Sequence, residues 1–153
     1  MLCPATKNHR LPSNEVRERK EVNMKGKILV IEDNEQNLYL LKFLLENSGH
    51  EVIPATDGQS GIAVAAREKP TLILLDIQLP QMDGYEVARR LRLQDDLRKV
   101  PIVAVTSYAM PGDREKAIAA GCSGYIEKPI NPDTFIKQVE EHLSGLPEME
   151  KTI

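Results

Sequence analysis

The stretch at residues 72–84, LILLDIQLPQMDG, sets four aliphatic side chains directly before a carboxylate. An apolar run without polar alternation suits a strand covered on both faces, as in a parallel sheet. A charge closing that run needs a partner or a ligand at that end. The strand is read as Thr71–Asp76. Downstream, Asp83 and Glu86 stand three residues apart, the spacing of a capping box, and open a helix to about Leu93.

The same strand-helix alternation repeats on either side. KILVI (Lys27–Ile31) is a first buried strand. Asn34 caps a helix in which Leu38, Leu41 and Leu45 recur at helical spacing, and Gly49 ends it. EVIPA (Glu51–Ala55) is a second strand, placed at a sheet edge by Pro54. Asp57 caps a helix to about Lys69. PIVAVTS (Pro101–Ser107) is a fourth strand, Asp113–Gly121 a short helix closed by glycine, and GYIEK (Gly124–Lys128) a fifth strand. Asn131, Pro132 and Asp133 supply a cap, a first-turn proline and a first-turn acid. The last helix is expected to bury Phe135, Val139 and Leu143. Five strand-helix units predict an α/β fold with a parallel sheet and helices on both faces.

Composition narrows the function. The chain has 153 residues, 41% hydrophobic and 28% charged, enough for one domain with a real core. A net charge of -3 argues against general nucleic-acid binding, and no apolar run has membrane-spanning length. No secretory signal pattern opens the chain, so a cytoplasmic location is expected. Cys3 and Cys122 have neither zinc nor disulfide spacing and read as reduced thiols. Residues 1–23 are charged, proline-bearing and aperiodic, and are expected to be a disordered extension. Lys20-Glu21-Val22 can be encoded by AAGGAGGT, a ribosome-binding sequence, with Met24 shortly after, so Met24 is a candidate natural start. The domain is expected to span 24–144, with a tail at 145–153 too short for an output domain.

In open parallel sheets ligands bind beyond the carboxyl ends of the strands, near the switch in strand order. Glu32-Asp33, Asp76, Thr106-Ser107 and Lys128 stand at four of those ends. Clustered carboxylates need a cation, and hard oxygen donors suit Mg²⁺. A carboxylate so placed can attack phosphorus and carry an acyl phosphate, while a lysine and a hydroxyl hold phosphoryl oxygens. Each residue also has an ordinary role. Glu32 and Asp33 favour a helix N-terminus, Asp76 can cap the 78–83 loop, Thr106 suits a strand, Lys128 suits a solvated surface, and Tyr125 suits core or rim.

Taken together, VIEDN, LLDIQLPQMDG, AVTSYAM and GYIEKPI, in that order, resemble the receiver domain of two-component response regulators over roughly 25–143. The resemblance implies a flavodoxin-like, doubly wound, five-stranded parallel sheet of order 2-1-3-4-5 with five helices. It implies that Asp76 is the phosphoacceptor. Asp33, Asp76 and the Gln78 backbone carbonyl would ligate magnesium, with Glu32 acting through water. The family often has Asp where Glu32 stands, and glutamate is a common variant. Thr106 matches the switch hydroxyl, Lys128 the phosphate-pairing lysine and Tyr125 the switch aromatic. The Lys128-Pro129 bond is expected to be cis, aiming Lys128 inward. Gln78 and Tyr108 match positions that tune phosphoryl lifetime, and Tyr108 is expected to hinder attacking water.

The implied function is a phosphorylatable signalling domain, not an enzyme beyond self-catalysed phosphotransfer and autodephosphorylation. Its implied partners are a histidine kinase or phosphotransfer protein and a downstream protein target, with no direct nucleic acid and no membrane. A homodimer through the face of the fourth helix, fifth strand and fifth helix is a further possibility. The alternatives are a receiver module excised from a hybrid histidine kinase and a magnesium-dependent aspartyl-phosphate phosphatase. Such phosphatases resemble DxDxT after the first strand, whereas Asp76 follows the third and precedes IQLP. A flavin binder needs a phosphate cradle where EDNEQN is acidic, and neither GxxxxGK[ST] nor GxGxxG occurs.

Overall fold

The structure is a computed structural model and describes residues 25–107 and 110–143. Cys3, Tyr108, the expected extension at 1–23, the candidate start Met24, the domain boundary at 144 and the tail at 145–153 lie outside the described residues. The elements run β1 (Lys27–Ile31), α1 (Glu35–Asn47), β2 (Glu51–Ala55), α2 (Gly58–Glu68), β3 (Leu72–Asp76), α3 (Gly84–Arg92), β4 (Ile102–Thr106), α4 (Asp113–Ala120), β5 (Gly124–Glu127) and α5 (Pro132–Leu143). A 3₁₀ turn at Asp95–Leu97 buries Leu97 before β4.

All four strand pairings are parallel and the order is β2-β1-β3-β4-β5, the flavodoxin-like arrangement expected. Every residue of β3 and β4 is buried. Alternate side chains divide between two cores. Leu29, Ile73 and Ala104 face a layer that includes Ala65 of α2, Val87 of α3 and Ala117 of α4. Val30, Leu74 and Val105 face α1 and α5 through Leu45 and Phe135. Each fully buried aliphatic or phenyl group stabilises the fold by about 1.5–3 kcal/mol, so the two faces together fix the register.

Local chemistry sets the helix starts. Asn34 Oδ1 accepts from Asn37 N–H (2.9 Å) and Asp57 Oδ1 from Ser60 N–H (2.7 Å). Asp83 Oδ1 accepts from Glu86 N–H (3.0 Å). The capping box is only half formed, because the Glu86 carboxylate accepts instead from Arg89 (3.1 Å) and Arg90 (2.9 Å). The burial expected for Leu143 is corrected. It is half-buried at the rim beside Gly26, and His142 takes the inward position with Phe135 and Val139. The reason is Gly124, where a Cβ would overlap the His142 ring and close its slot.

β2 lies at the sheet edge, as Pro54 requires. Glu51 N–H donates to Gly26 and Ala55 C=O accepts from Glu32 (2.9 Å each), so residues 51, 53 and 55 face β1. Pro54 therefore turns its missing N–H outward. At the end of the sheet away from the strands' carboxyl termini, buried His50 accepts from Gly26 N–H at Nδ1 (3.0 Å). That leaves Nε2–H to donate to Glu140 (2.9 Å), tying α5 to β1 and β2.

Candidate functional site

Parallel strands carry their carboxyl ends to one edge, and here the strand order reverses between β1 and β3. Glu32 and Asp33 follow β1, Asp76 ends β3, Thr106 ends β4 and Lys128 follows β5. Ile31 pairs with Leu75, so one residue further Glu32 comes beside Asp76. Glu32, Asp76 and Thr106 are buried and Asp33 is exposed, which leaves the cluster open to solvent on one side.

Oxygens of Glu32, Asp33 and Asp76 lie within 4.8 Å of one another. Lys128 Nζ donates to Glu32 Oε1 (3.0 Å) and stands 3.5 Å from Asp76 Oδ2. The second Glu32 oxygen accepts from Asn34 N–H (3.2 Å). Asp76 Oδ1 accepts from Gln78 N–H (2.9 Å), and Gln78 Oε1 accepts from the Ser107 hydroxyl (2.7 Å) and amide (3.3 Å). The Lys128-Pro129 peptide is cis. Thr106 and Tyr125 belong to the side-chain rows that face α2, α3 and α4. Tyr125 pairs with Ala104, two residues before Thr106, and packs half-buried against that core. Residues expected from separate strands are thus assembled at one edge.

Burial pushes the Glu32 carboxyl up to about 7, helped by its hydrogen bond to Asp76 and opposed by Lys128. A single ammonium does not offset three clustered carboxylates. The donor set is all hard oxygen, partly buried and open on one side, and it fits Mg²⁺. Between the ordinary glutamate range and about pH 7, the raised Glu32 carboxyl of the metal-free native state is expected to keep a proton that the unfolded chain releases. Stability of the metal-free protein is expected to fall as pH rises from the ordinary glutamate range through 7, by up to about 3 kcal/mol. Added magnesium should recover it above pH 7, and Glu32→Gln should flatten the profile. Thermal melts at pH 5 and 8, with and without magnesium, check this; a stability rising across that window counts against it.

Two further features carry the site. Gly84 opens α3, and its N–H donates to the Ile77 carbonyl (2.9 Å). A Cβ there would sit 2.5 Å from Ile77 Cα and 2.6 Å from the Asp76 carbonyl oxygen. The signal was a glycine directly after the helix cap, where a stronger helix former would ordinarily serve. The other is the Gln78 side chain, whose reach to β4 leaves no trace in the sequence. Cys122 is buried, and that burial pushes its thiol up to about 12, in keeping with an unreactive group. Among the described residues, no helix is long and apolar enough to cross a membrane.

Residues 28–140 match the response regulator receiver domain. A polar-differentiation response regulator, DivK, from Brucella anthropi is 42% identical over 120 residues, covering 78% of this chain and 98% of that protein. The receiver domain of the sensor histidine kinase PA1611 from Pseudomonas aeruginosa, solved with a magnesium ion coordinated in its active site cleft, is 33% identical. Its TM-score is 0.73, with 78% of this chain and 98% of that one covered. The chemotaxis protein CheY4 of Vibrio cholerae is 28% identical with a TM-score of 0.74, covering 76% and 98% of the two chains.

Proposed function

The chain belongs to the response regulator receiver family, and on that premise we propose that it accepts a phosphoryl group on Asp76 from a histidine kinase or phosphotransfer protein and signals to a protein partner. The observation that carries this reading is the position of Asp76. It is a buried carboxylate ending a central strand, with two other carboxylates within 4.8 Å and an ammonium at 3.5 Å. Asp33, Asp76 and the Gln78 carbonyl would hold magnesium, with Glu32 acting through water. Bound there, the metal neutralises the acids and stabilises charge in phosphoryl transfer.

This chain's own residues do the rest. An Asp76 oxygen attacks phosphorus, the bond from phosphorus to the donor breaks, and its electron pair leaves with the donor. The Gln78 amide orients the carboxylate through Oδ1. Lys128 pairs with the incoming oxygens, exchanging part of its contact with Glu32 for them. Thr106 moves to donate its hydroxyl to the phosphoryl group, and Tyr125, on the same side of the sheet, turns into the space vacated. The face of α4, β5 and α5 changes shape, a two-state element biased by local charge. That face is the one through which copies of the chain would pair.

Incubation with acetyl phosphate and magnesium tests the reading. One hydroxylamine-sensitive phosphoryl group is expected on the peptide containing Asp76, and a label on any other residue overturns the assignment. For Thr106→Ala, labelling should persist while the NMR shift change at Tyr125 on phosphorylation is lost; an undiminished change removes Thr106 from the switch.

A further inference from the structure

Beyond Asp76 the backbone ladder between β3 and β4 ends with Ile77 N–H donating to the Val105 carbonyl (3.1 Å). Past that point the Gln78 side chain joins the two segments. Gln78 Oε1 accepts from both the hydroxyl and the amide of Ser107, the residue after Thr106. The same Gln78 donates its own amide to Asp76 Oδ1. One residue thus touches the acceptor carboxylate with its main chain and the end of β4 with its side chain.

We propose that Gln78 is a positioning residue whose side-chain carbonyl holds the end of β4 in its unphosphorylated place, and that a phosphoryl group on Asp76 displaces it from Ser107. The inference rests on the phosphoacceptor reading of Asp76. A phosphoryl group brings three strong, charged acceptor oxygens to the carboxylate beside Gln78. Hydrogen bonds to charged acceptors are roughly twice as strong as those to a neutral amide. The donors of Ser107 therefore have reason to exchange partners once Asp76 is modified, and Thr106, one residue earlier, moves with them. A neutral amide suits the task. It is strong enough to hold two donors and weak enough to yield them, whereas a carboxylate at position 78 would repel the phosphoryl group. Gln78 in this way sets part of the free-energy gap between the two placements of Thr106.

Amide hydrogen exchange at Ser107 in the metal-free protein, and affinity for beryllofluoride with magnesium, test this on the full chain. In Gln78→Ala the Ser107 amide should exchange about fivefold faster and beryllofluoride should bind about fivefold tighter, the worth of one net hydrogen bond. Gln78→Glu, which keeps an acceptor, should restore protection of Ser107 and weaken beryllofluoride below wild type, a pattern that mere structural support would not produce. Unchanged exchange or unchanged affinity in Gln78→Ala overturns the proposal. Absence of beryllofluoride binding by the wild-type protein overturns the phosphoacceptor reading instead, and the exchange comparison still decides whether Gln78 holds Ser107.

Discussion

Asp76→Asn is expected to take up no phosphoryl group, with hydroxylamine-sensitive label falling to background. The substitution is nearly isosteric and keeps an oxygen to accept from the Gln78 amide, so the loop after β3 stays in place. What disappears is the nucleophile, since a neutral amide oxygen does not form an acyl phosphate. The variant should remain folded. The Asp76 hydrogen bond and charge are two of the causes that raise the Glu32 carboxyl, so their loss brings Glu32 back toward its ordinary range. Folded-state proton uptake at Glu32 then shrinks, and metal-free stability at pH 8 should equal or exceed that of the wild type. Label retained on a folded Asp76→Asn protein would end the assignment; an unfolded variant would contradict the electrostatic account.

Gly84→Ala is expected to be the most damaging small substitution near the site. The added Cβ meets main-chain atoms of Asp76 and Ile77, which have no rotamer to escape into. Either α3 withdraws, breaking the Gly84–Ile77 hydrogen bond, or Asp76 shifts. Overpacking against a fixed backbone costs about 3 kcal/mol, roughly 10 °C in Tm for a domain of this size. Phosphoryl uptake should fall along with stability, because the same atoms place the carboxylate. Thermal melts and labelling rates read both effects. Wild-type Tm and labelling in Gly84→Ala would show that the close approach is not required.

Much of this was legible from residue order. The run from Leu72 to Asp76 has no polar residue until its last position, so it had to be a strand covered on both faces. The caps at Asn34, Asp57 and Asp83 act over three residues and are readable as such. The carboxylates at strand ends were readable because a parallel sheet gathers all such ends at one edge. What escaped depends on contacts between distant residues. His142 lies inward instead of Leu143 because Gly124, 18 positions earlier, leaves room for a ring. His50 and Glu140 meet only once α5 is laid across the start of the sheet. Glu86 gave up its half of the capping box to two arginines on its own helix, a local competition that the spacing rule does not weigh.

Pro54 bears on how the protein behaves at high concentration. The outer border of β2 is where a foreign strand would add, and addition needs a continuous row of outward donors. Pro54 interrupts that row while costing the native ladder nothing, since its nitrogen points away from β1. Polymerisation by strand stacking is thereby discouraged on that flank.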